Sequence, residues 1–254
     1  PNGDTYSLAV GPVTLASQSG TSLYNVAVGV GAMASETTGS YNTALGSQTM
    51  ASANGGDYNT GLGYHALNAV TGNNNTAVGA EALASNTSAN DNTAVGYNAL
   101  NATTTGQYNT ALGVGALSSN INGNQNTALG RMALTTSTSG SNNTAIGQSA
   151  MYNTTTGAGN VAIGRYAGYA NTTGSQNIFL GYDVGLMTLT TGSRNILIGT
   201  SDAVDTPAAG TDDWLNIGNT VYGDLSGKAI AIGGTPTSIT TDVTLDLSNV
   251  TDSM

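Results

Sequence analysis

Apolar residues in this chain sit at fixed distances from a recurring glycine. The glycine closes the motif Asn-Thr-Ala-aliphatic-Gly and appears at Gly11, Gly29, Gly46, Gly63, Gly79, Gly96, Gly113, Gly130, Gly147, Gly164, Gly181 and Gly199. Looser copies follow at Gly218 and Gly233. The step is 17 residues in most cases and stays within 16 to 18 as far as Gly199. So little drift over so many copies means that each repeat makes the same closed turn.

The columns of the repeat predict strands. The residue before the glycine is always branched aliphatic, as in Val78, Val95, Leu112, Leu129 and Ile146. Two before it stands Ala in most copies, and three before it Thr in the middle copies (Thr43 to Thr144) or an apolar residue at either end. Alternate residues of a strand face opposite sides. The positions one and three before the glycine therefore share a face, which the aliphatic column assigns to the coil interior. Alanine is then expected on the outside, where its small size admits a neighbouring chain.

After the glycine come two variable residues and then Ala with Leu or Met, as in Ala82-Leu83 and Ala150-Met151. This pair returns an apolar side chain inward. A polar stretch with turn residues such as Thr104-Thr105-Gly106 closes the repeat. Segments such as Ala80-Glu81-Ala82-Leu83-Ala84 look locally helical, but Gly79 ends them on one side and Asn86 follows close on the other. That is well short of a globular helix of about 8–20 residues. The fold class expected is all-β: a parallel β-solenoid of about 17 residues per coil, spanning residues 1–203. Residues 204–254 are expected to form a capping or transition segment leading to a further domain.

The Asn four before the glycine is invariant from Asn25 to Asn195 in eleven copies. Coils stacked about 4.8 Å apart bring Asn42, Asn59, Asn75, Asn92, Asn109, Asn126 and Asn143 into register as a hydrogen-bonded ladder. Tyr24, Tyr41 and Tyr58 also share one column, which Tyr108 takes up again later. An aromatic stack stiffening the corner is the simpler reading, and a contact surface for glycans the functional one. Trp214, the only Trp, lies past the regular repeats and is expected to cap the open end of the last coil. The alternating run Val243–Leu247 is expected to pair with a partner chain as a strand.

Composition narrows the function. Formal net charge is -10, with Arg131, Arg165, Arg194 and Lys228 as the cations, so no footprint for nucleic acid or an anionic membrane surface is present. Cysteine is absent, which removes thiol chemistry. No apolar run has the length of a membrane span, so no membrane insertion is expected. His65 sits at a variable position, and no Ser/His/Asp set or metal-ligand cluster recurs. The densest acidic stretch is Asp202, Asp205, Asp212 and Asp213, at a spacing that matches no calcium loop. Catalytic residues, cofactors and metals are therefore not expected, and the chain reads as a non-enzyme.

Asn-Thr-Ala-Val-Gly-x-x-Ala-Leu with Thr-Gly turns resembles the head repeats of trimeric autotransporter adhesins, and similar repeats of bacteriophage tail-fibre proteins. The resemblance covers residues 7 to about 203. It implies a left-handed parallel β-roll, three chains packed side by side as a homotrimer, and a place on a virion tail fibre or a bacterial surface. The implied partners are a host-surface glycan or protein receptor. This repeat is longer than the adhesin one, and the extra residues fall in the Thr/Gly turn. Ice binding, which flat Thr arrays can support, is disfavoured because the Thr column shares the parity assigned to the interior.

Overall fold

The computed structural model describes residues 6–17, 23–226 and 229–232. Among them are fifteen strands and no helix, joined in one sheet in chain order. Each regular strand is three residues long, from β1 (Leu8–Val10) through β6 (Thr93–Val95), β7 (Thr110–Leu112) and β11 (Ile178–Leu180) to β12 (Ile196–Ile198). Every one pairs in parallel and in register with the next, Thr on Thr and Ala on Ala (Thr93 with Thr110, Ala94 with Ala111). The chain is a β-solenoid of about twelve coils, roughly 17 residues apart.

The parity of the strands is the reverse of the one expected. The alanine column is the interior: Ala27, Ala44, Ala77, Ala94, Ala111, Ala128, Ala145 and Ala162 are all fully buried. The aliphatic column faces out, with Leu45 46% exposed and Leu112 48% exposed. Val95, Leu112 and Leu129 thus line an outer column, and the alanines cannot meet a second chain. The physical reason is the narrow coil. The inner face of each strand opposes the Ala-Leu turn of the same coil, and the interior already holds the Leu or Met side chain and the asparagine amide. Only a small residue fits beneath them. Asn and Ala lie two apart on one strand edge, so the ladder and the alanines had to share a face.

The turn wall is built from alternating backbone hands. The second and fourth residues after the glycine adopt positive φ, as at Glu81 (58°) and Leu83 (50°). A left-handed conformation costs a residue with Cβ about 1–2 kcal/mol. It recurs because the two left-handed residues direct their N–H groups along the axis, one toward each neighbouring coil. Glu81 N–H donates to Tyr64 O in the coil before, and Leu83 N–H to Ala99 O in the coil after. The anchoring glycine has a different cause. At Gly96 (φ 135°) a Cβ would lie 2.6 Å from the carbonyl oxygen of Gly113 in the next coil.

Stacking at one spacing also keeps the interior volume constant. Coil by coil, a larger residue is matched by a smaller one. Thr49 and Met50 replace the usual Ala-Leu pair, and the next strand carries Gly61, where a Cβ would lie 2.7 Å from Thr49 Cγ2. Phe179 replaces Ala in the inner column and is fully buried. The Leu column becomes Gly168 and Gly185 beside it, where a Cβ would lie 2.6 and 2.7 Å from the Phe179 ring. Both glycines have φ near 65°, close to the value Leu adopts elsewhere in this column, so volume and not backbone selects glycine there. Phe179→Ala is expected to cost about 3–5 kcal/mol in urea denaturation. Adding Gly185→Leu to that variant should recover much of the loss, whereas Gly185→Leu alone should be severely destabilising. A double variant no more stable than Phe179→Ala would contradict the volume argument.

Candidate functional site

Three features outside the ordinary repeat carry candidate chemistry: the asparagine column, the aromatic columns, and the C-terminal end. The asparagines are inside. Asn42, Asn59, Asn75, Asn92, Asn109, Asn126 and Asn143 are at most 1% exposed. Each amide does two jobs. Asn109 Oδ1 accepts the backbone N–H of Asn126 (2.9 Å), and Asn109 Nδ2 donates to Gly123 O (2.9 Å) and to Asn92 Oδ1 (3.1 Å). From Asn59 to Asn160 the ladder runs amide to amide, and Asn42 joins it through the backbone N–H of Asn59; the amides in addition seal backbone groups of the Thr-Gly turn. No ligand can reach this column without opening the coil.

The tyrosines are outside. Tyr6, Tyr24, Tyr41 and Tyr58 form a continuous stack, with ring centroids 5.0, 5.0 and 4.9 Å apart. The ring faces cover one another, so edges and hydroxyls are what these residues present to solvent. A sugar ring could stack only at the ends of the column. A second aromatic group lies three quarters of the way along. Tyr152 stacks on Tyr169, Tyr166 meets Tyr169 edge-on, and the Arg165 guanidinium lies 4.3 Å from the Tyr166 ring centre and 5.1 Å from that of Tyr182. His65 stacks on Tyr64 and contacts Gln48 Oε1.

The C-terminal end breaks the pattern in two ways. After a longer loop, β13 (Trp214–Ile217) continues the parallel stack, and then β14 (Val221–Asp224) and β15 (Ala229–Ile232) return antiparallel. Trp214 occupies the asparagine column: its backbone N–H donates to Asn195 Oδ1 (2.8 Å), the last acceptor of the ladder. The indole packs partly buried against the core at the end of the stack. The run Val243–Leu247 lies outside the described residues.

The acidic loop is tied to the preceding coil. Asp205 accepts the backbone N–H groups of Met187, Thr188 and Leu189, and Asp212 that of Ser193. Asp213 binds Arg194 through two hydrogen bonds of 2.6 and 2.7 Å. That hydrogen-bonded pairing holds the Asp213 carboxyl below the usual carboxylate range and raises the Arg194 guanidinium further. A carboxyl with a lowered folded-state value stabilises the fold above its ordinary value and loses that contribution as pH falls through the lowered one. Among the described residues no three His, Cys, Asp or Glu side chains gather as a metal site. No helix of the described residues is long and apolar enough to cross a membrane.

Comparison with protein-family models, with curated proteins and with solved structures gives no match. Function therefore rests on the surfaces themselves. Sequence reasoning missed the largest of them, the outward aliphatic column. The signal that could have found it is the asparagine ladder, whose parity belongs inside.

Trp214→Ala is expected to lower the melting temperature of the array and to raise hydrogen exchange in the coils next to it, around Ile196 to Ile198. Exchange in the central coils near Ala111 should stay unchanged. A silent substitution would remove the capping role.

Proposed function

We propose that this chain is a trimeric segment of an extracellular attachment fibre, a spacer that also offers recognition surface, of the bacteriophage tail-fibre kind. A bacterial surface adhesin head would use the same architecture. The observation that carries the reading is the outer face of the sheet. Leu8, Val10, Val26, Leu45, Leu62, Leu112, Ile146, Ile163, Ile178, Leu180 and Ile217 are each at least 36% exposed. Their columns contain aliphatic residues and Thr from β1 to β13, with no charged residue. Thirteen strands at about 4.8 Å make this stripe about 60 Å long.

Soluble monomers rarely expose a contiguous apolar patch above a few hundred Å². Covering the stripe with identical stripes, level by level, would bury it without any new sequence feature, because every coil presents the same residues. The number three comes from the resemblance of the repeat to trimeric adhesin heads. A stiff solenoid with constant cross-section suits a spacer. Asp205, Asp212 and Asp213 of the terminal loop serve as acceptors for backbone N–H groups and Arg194, which supports a binding and spacing role over a catalytic one.

The outward parity also favours a second reading. Thr43, Thr60, Thr76, Thr93, Thr110, Thr127 and Thr144 stand in register on the outer face, so the objection to an ice-binding solenoid drawn from parity falls. The two readings compete for one face: a trimer that buries it leaves no array for ice.

Sedimentation equilibrium should give three times the chain mass of 25.2 kDa. Leu45→Asp with Leu112→Asp should release monomers, since like charges would face one another at the contact, while Thr→Ser changes in the same face should not. The parent chain should show no thermal hysteresis. A monomer of the parent chain with clear thermal hysteresis would replace the fibre reading by the ice-binding one.

A further inference from the structure

The end of the stack holds a cavity. Because β14 and β15 continue only the strand side of the solenoid, the turn side of the last coil carries no further coil among the described residues. The result is an open cavity of about 400 Å³, within the range of small-ligand sites (about 300–1,000 Å³). Its walls include Thr188, Asp202, Asp205, Trp214, Asn219 and Tyr222. Two of these are aromatic, with ring centroids 6.3 Å apart and planes inclined at 48°. None of the lining residues among those described is basic.

The polar groups sort into spent and available. Asp205 is spent: its oxygens accept the N–H groups of Met187, Thr188, Leu189 and Thr206. Asn219 Oδ1 is spent on Asn216 Nδ2 (2.9 Å). Within the described residues the Asp202 carboxylate, the Asn219 amide nitrogen and the Tyr222 hydroxyl make no hydrogen bond. Trp214 Nε1 also has no partner, but it is buried and does not open on the cavity.

We infer that this end cavity is a binding site for a non-anionic saccharide unit. An inclined aromatic pair offers apolar faces to the C–H side of a pyranose. Asp202 supplies an acceptor, Asn219 a donor and Tyr222 both, which suits vicinal hydroxyls that give and receive. An anionic sugar or a phosphate would meet Asp202 with no cation among the described lining residues. A simple cation would leave the Asn219 and Tyr222 donors unanswered. The inference deepens the attachment reading and rests on it for the source of the sugar, a surface glycan; the cavity itself does not depend on that reading.

The chain carries one Trp, and it lies in this wall, so its emission reports the site directly. The test is titration of the full chain with methyl glycosides of galactose, glucose, mannose and N-acetylglucosamine, followed by tryptophan emission. At least one is expected to give a saturable shift with a dissociation constant of about 1 mM. Asp202→Ala and Tyr222→Ala should each weaken it by about tenfold. Asp202 is exposed and unbonded, so its variant should keep the parent melting temperature. No shift with any glycoside overturns the inference, as does a shift that both variants leave unchanged. Saturation by tetramethylammonium without any response to sugars overturns it too. Chain mass and adhesion to cells, measured on the same preparation, judge the attachment reading separately: a trimer that adheres while the cavity stays silent loses only the saccharide site.

Discussion

The buried asparagine column is the interaction on which the rest of the structure depends. A coil of this size encloses too few apolar side chains to hold itself closed, and its hydrogen bonds run to the coils on either side. In the middle coils the asparagine amide joins three parts at once: the next strand through its backbone N–H, the Thr-Gly turn through a glycine carbonyl, and the previous asparagine. Removing one amide would orphan buried backbone groups at about 1–3 kcal/mol apiece. The same column fixes register, because a one-residue slip would carry every amide to the solvent face.

From that constraint the interior follows. Coils locked at one spacing must have one cross-section, and the side chains share out a constant volume. This is why Gly61 accompanies Thr49 and Met50, and why two glycines flank Phe179. It also explains the tolerance of left-handed backbone at Leu83 and its equivalents. The strain recurs in every coil and is held by N–H groups directed alternately up and down the stack, so no residue can relax alone.

The surfaces are what remains once the interior is satisfied. The outer sheet face carries aliphatics and Thr without a charge, and it is the face on which the proposed trimer rests. The tyrosine column stacks ring on ring, which makes it stiff and leaves few faces for a ligand. Among the described residues the coils give way after β13 to a hairpin that continues the sheet. That mismatch opens the cavity beside Trp214, and the acidic loop around it is fastened by Asp205, Asp212 and Asp213 to the coil below.

The sequence by itself determined the solenoid, its repeat length, the in-register stacking and the asparagine ladder, because each follows from period and from the identity of single columns. It placed Trp214 at the point where the pattern breaks. It did not determine which strand face is inside. Alternation gives two faces and names neither; the aliphatic column was the more apolar, and the inference that apolar means buried selected it. Tertiary structure decided otherwise for a reason of space: the opposite wall of the same coil delivers Leu83 or its equivalent into the interior, and only Ala fits under it. The inward face is set by the room left between two walls, a quantity that one strand read alone does not contain. The cavity at the end belongs to the same class of fact, since it arises from the meeting of a loop, a strand and a hairpin distant in sequence.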